Sequence, residues 1–190
     1  MGRFIFGVIV GICLVAGGAY YYLTSGRAPV AATAQPMPFE TTLAKQALHA
    51  TLQREAPKQV PLEPVAENLA AGARVYAQNC AFCHGFPHQP DSVEGKGMFP
   101  HAPQLFTPDG MVTDDPPGVT YWKVKNGIRL SGMPSFQSAL SDQQMWQVSL
   151  LLSKADKLPP EAAGALQPAP APTPALAPAP PPARRPRRHR

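Results

Sequence analysis

Cys80 and Cys83 stand three positions apart, and His84 follows the second thiol directly. On a helix, that spacing puts both sulfurs on one turn with an imidazole beside them. A reactive dithiol uses such a pair in a βαβ setting, and no such setting follows here. A structural zinc needs a second ligand pair. The one other cysteine, Cys13, lies inside an apolar run, and His88 and His101 sit in a Pro-rich stretch without paired spacing. The remaining chemistry is covalent capture of a porphyrin, for which Cys-x-x-Cys-His is the c-type haem signature. Each thiol adds across one vinyl group, and His84 then lies beneath the ring, where its imidazole can bind iron. The pentapeptide favours this reading over the dithiol and zinc alternatives.

Gly132-Met133-Pro134-Ser135-Phe136 begins 48 residues after His84. A thioether is a soft iron ligand, and His/Met ligation raises the reduction potential. Gly132 removes a side chain where backbone must approach the macrocycle. Pro134 stiffens the loop. Met98 and Met111 compete for the same role, but each follows His84 closely and leaves less chain to reach the opposite face. Neither has the Gly-Met-Pro setting. A bis-histidine site using His101 is a further alternative. A lone methionine is ordinarily a core side chain.

These motifs resemble those of the class I c-type cytochromes, the bacterial monohaem members in particular. The resemblance covers about residues 64–158 and takes in the run from Tyr121 to Phe136. It implies an all-α fold of three to four helices around one covalently bound haem c. It implies that Cys80 and Cys83 hold the haem, and that His84 and Met133 ligate its iron. It further implies that the Pro103 carbonyl accepts the His84 imidazole N–H and that Leu105 packs on the haem, since Ala102-Pro103-Gln104-Leu105 matches the family pattern. The segment from Phe86 to Pro117 is longer and richer in proline than in compact members, which leaves its conformation open.

Residues 4–23 are uncharged and largely apolar. As a helix they span about 30 Å, the thickness of the bilayer core. Tyr20, Tyr21 and Tyr22 suit a membrane interface. Arg3 and the small residues Gly17-Gly18-Ala19 also fit a cleaved signal segment. The unbroken apolar run to Leu23 favours an uncleaved anchor. Either way the haem domain is expected on the extracytoplasmic, periplasmic side, anchored or soluble.

Residues 24–63 read as a tether with a helix over 40–55. That helix carries a thin apolar stripe of Leu43, Ala47, Leu48 and Leu52, and a solvated surface is its default. Within the haem domain, Leu69, Ala73 and Tyr76 predict a helix over 66–79. A short helix over 119–126 stops at Gly127. Ser141 and Gln144 form a capping box opening a helix over 142–154. The resemblance further implies that the first and last helices cross where a glycine meets an aromatic, with Gly72, Tyr76 and Trp146 in those parts.

Charge divides along the same boundaries. Residues 64–160 hold seven Lys/Arg against eight Asp/Glu, whereas residues 161–190 hold five arginines against one glutamate. The chain's net charge of +5 therefore belongs to its ends. The Pro/Ala-rich tail, 161–190, is expected to be disordered. Its basic end suits anionic lipid or an acidic protein, and its placement argues against nucleic acid. The whole reads as an electron carrier, not an enzyme, serving membrane donor and acceptor complexes. A fixed haem subunit of an oxidase or dehydrogenase is one alternative. An enzyme with a labile Met ligand is another.

Overall fold

A computed structural model describes residues 1–107 and 112–167. Met111 and the basic cluster Arg184–Arg190 lie outside the described residues. Everything regular among the described residues is helical, in the order α1 (Gly2–Thr24), α2 (Glu40–Glu55), α3 (Ala66–Asn79), α4 (Ala81–His84), α5 (Val93–Lys96), α6 (Pro117–Asn126), α7 (Asp142–Leu152) and α8 (Pro160–Ala165).

The core lies where α3, α6 and α7 meet. Tyr76, Val148 and Leu151 are fully buried there. The crossing of α3 and α7 is close because Gly72 carries no side chain. A Cβ at that position would overlap the Gln147 carbonyl and lie 2.7 Å from its carbon and 3.1 Å from Leu151 Cβ. The glycine of α3 thus meets the backbone of α7 beside Gln147. Trp146 stacks on Tyr121 of α6, with ring centroids 4.1 Å apart and planes within 13°. The Ser141–Gln144 capping box opens α7, with both reciprocal bonds formed.

Two boundaries differ from expectation. The disordered tail was expected from residue 161, but α8 packs onto α3 and buries Ala162 and Leu166 in the core. Its Pro/Ala composition resembles a tail, yet a tertiary contact orders it. Helix α2 was expected to be solvated, and most of it is. Its C-terminal end nonetheless docks on α6. Leu52 is buried, and Trp122 Nε1 donates to Glu55 Oε2 at 3.2 Å. The Pro57 carbonyl sits against Gly118, where a Cβ would overlap it. At the other end of the chain, α1 is long and apolar enough to cross a bilayer, which is compatible with an anchor or a signal segment.

Candidate functional site

The site is built from α4 and two loops. Cys80 caps α3 and starts α4, whose four residues carry the rest of the Cys-x-x-Cys-His run. Both thiols are free and half-buried. Burial pushes the Cys80 thiol up to about 12, with Cys83 adding to it. Cys83 is also raised, first by burial and then by Glu94. A dithiol redox centre needs a lowered thiol pKa, so this environment is wrong for that chemistry. Among the described residues, no three of His, Cys, Asp and Glu converge to make a zinc donor set.

His84 Nδ1 lies 2.7 Å from the Pro103 carbonyl. A carbonyl oxygen only accepts, so Nδ1 carries the proton and Nε2 keeps its lone pair. Burial lowers the His84 pKa, opposed by this bond, and favours the neutral ring. A neutral imidazole oriented through one nitrogen, with the other available, is a prepared metal ligand.

Side-chain hydrogen bonds fix α4 and the loops behind it. Ser92 Oγ donates to the Cys83 carbonyl at 2.6 Å while capping α5. Tyr76 Oη donates to the Gly85 carbonyl at 2.8 Å. Gln104 Nε2 donates to the Phe86 carbonyl at 2.9 Å, and its Oε1 accepts from Phe106 N at 3.1 Å. Gln104 is buried. Sequence reasoning named its neighbours Pro103 and Leu105 and passed over it. Its only signal was that adjacency, because a buried amide bridging two loops has no periodicity.

Met133 lies on a loop pinned back onto α6. Ile128 N donates to the Met133 carbonyl at 3.1 Å, Ser135 Oγ to the Lys125 carbonyl at 2.6 Å, and Phe136 N to the Val124 carbonyl at 3.0 Å. Gly127 makes the turn at φ +69°. A Cβ there would be strained and would sit 2.7 Å from Pro134 C and Ser135 N. This turn brings the loop back across the end of the helix.

Cys80, Leu105, Phe106, Met133 and Phe136 are half-buried and packed against the core, with part of their surface left uncovered. Two thiols one turn apart, an oriented imidazole, a thioether and an incompletely covered apolar lining suit a covalently attached porphyrin in both donor chemistry and polarity. His88 and His101, the alternative histidines, are exposed.

A helical domain with this donor set is a c-type cytochrome domain. Residues 67–150 match the family model described as cytochrome c oxidase, cbb3-type, subunit III. Among curated proteins, no relative matches the chain. The chain therefore carries a c-type cytochrome domain that binds covalent haem c, and its chemistry is haem-based electron transfer.

Proposed function

We propose that this chain is a membrane-tethered monohaem electron carrier. In this reading Cys80 and Cys83 would hold the haem covalently, and His84 and Met133 would ligate its iron. Bound haem supplies a one-electron ferrous/ferric couple. The protein supplies orientation and environment. Pro103 fixes the His84 ring, Leu105 covers apolar surface, and the pinned loop presents Met133. No bond in a substrate is made or broken, so the role is carriage rather than catalysis. Helix α1 serves as the uncleaved anchor and places the domain outside the cytoplasm, between a membrane donor and an acceptor. The basic tail favours anionic lipid headgroups.

The observation that carries this reading is the 2.7 Å contact between His84 Nδ1 and the Pro103 carbonyl, directly beside the thiol pair. The decisive experiment is redox-titrated visible spectroscopy of the purified membrane fraction, followed by acid–acetone extraction. A chromophore that stays with the polypeptide and shows the Met–iron band when oxidised is expected. Extraction of all colour from the denatured chain would defeat the proposal.

A second reading makes the protein a fixed subunit of an oxidase complex. It is favoured by the matched family's description and by the docked end of α2. Stoichiometric co-purification with large membrane subunits in mild detergent would select it over a freely moving carrier.

A further inference from the structure

The Pro-rich segment after Phe86 is the part of the domain whose conformation was least expected, and it touches every element of the site. At its start, Ser92 Oγ holds the Cys83 carbonyl. At its end, Pro103 holds His84. Between them, Ala102 N closes the loop onto the Gly95 carbonyl at 3.1 Å. Met98 lies inside this closed loop, half-buried, and its side chain meets the loop that carries Met133. Its thioether rests on the bare Cα of Gly132, next to Met133. A methyl group at residue 132 would overlap Met98 Sδ and sit 3.0 Å from Cγ and 3.3 Å from Cε.

We infer that Met98 is a positioning residue for Met133. By seating its side chain on Gly132, it ties the Met133 loop to the loop that orients His84, so that the two iron-facing sides share one support. This inference rests on the reading of Met133 as an axial ligand. Met98 suits the task because an unbranched thioether fills an irregular gap and remains adaptable. The absence of a side chain at Gly132 is explained by the same contact: residue 132 is the seat, and Met98 fills it.

The mechanism is a population shift. An added ligand binds only the fraction of molecules in which Met133 has left the metal, so its apparent affinity rises as that fraction rises. Removing the Met98 contact frees the loop and enlarges that fraction.

The test uses full-length holoprotein in detergent, oxidised, with imidazole as the probe. Met98→Ala is expected to bind imidazole at least about fivefold more tightly than wild type, because the open fraction rises by that factor. Met98→Leu conserves the volume and is expected to stay within about twofold. Gly132→Ala removes the seat rather than the occupant and is expected to match Met98→Ala. The double variant should show no more than the larger single effect, because both changes break one contact. Unchanged affinity in Met98→Ala, an equal rise in affinity in Met98→Leu, or additive effects in the double variant would each overturn the inference. Met133→Ala separates this from the axial assignment. If the Met–iron band survives in Met133→Ala, the ligand reading fails and Met98 falls with it. If the band is lost there while Met98→Ala is silent, the role of Met98 alone fails. Far-UV circular dichroism should be unaltered in the Met98 and Gly132 variants, since the α3–α7 core is untouched.

Discussion

The crossing of α3 and α7 and the pair of loops around His84 and Met133 are neighbours, yet different forces hold them. The crossing is held by burial. Tyr76, Val148 and Leu151 lose all contact with water, and Gly72 lets the helix axes close up. The loops bury few side chains completely. They are held by single hydrogen bonds, from the side chains of Ser92, Gln104 and Ser135 and between backbone groups such as Phe136 N and the Val124 carbonyl, and by one turn that only glycine makes easily. A core tolerates adjustment because its energy is spread over many contacts. The loops concentrate their order in a few positions. In this domain the frame stores the stability and the loops store the geometry.

The strongest way to break that division is to remove the covalent link. The chain from 64 to 160 has a small core. Cys80→Ala/Cys83→Ala protein lacking haem is therefore expected to lose cooperative thermal unfolding. Native-like helicity with a cooperative melt would show that the α3–α7 frame stands alone. Leu151→Ala attacks the frame directly. It should cost about 2–5 kcal/mol, since Leu151 is completely buried, and lower the melting temperature by about 10 °C or more while leaving the visible spectrum of surviving folded protein intact.

Gly127→Ala attacks the loops. Strain at the positive φ should cost about 1–3 kcal/mol. Its larger effect should be optical, with the Met–iron band weakened or lost well below the melting temperature. If Leu151→Ala and Gly127→Ala prove alike in both readouts, the contrast between frame and loops collapses.

The smallest expected effect concerns the docked end of α2. Glu55 is held below the ordinary carboxylate value, first by its bond from Arg54 and then by that from Trp122. A carboxyl group with a lowered folded pKa contributes stability that is present above the unfolded value and lost as pH falls through the folded one. Amide exchange in the last turn of α2 should therefore accelerate below about pH 4.3, the unperturbed glutamate range. Glu55→Gln should remove that pH dependence. An unchanged profile in this variant would assign the acid sensitivity to other groups.

The frame was legible because burial writes a period into sequence. Leu69, Ala73 and Tyr76 marked α3, and Ser141 with Gln144 marked where α7 begins. The donors of the site were legible because covalent chemistry demands a local spacing, as in Cys80, Cys83 and His84. What escaped notice depends on meetings between distant residues. Met98 and Gly132 are 34 positions apart, and neither carries a pattern pointing to the other. Ala162 and Leu166 read as part of a Pro/Ala-rich tail until α3 supplied a surface for them. Trp146 was legible as buried but not as the partner of Tyr121, because periodicity reports that a face is covered without saying by what.

The grip of α6 on Glu55 and Pro57 shortens the leash. With α2 fastened at its far end, the non-helical link to α1 is residues 25–39 rather than the whole stretch to 63. A coil of that length spans about 20 Å on average, and the 16 residues of α2 add a stiff arm of about 24 Å beyond it. If α1 stays in the bilayer, the domain would swing on a jointed arm rather than drift on a slack cord.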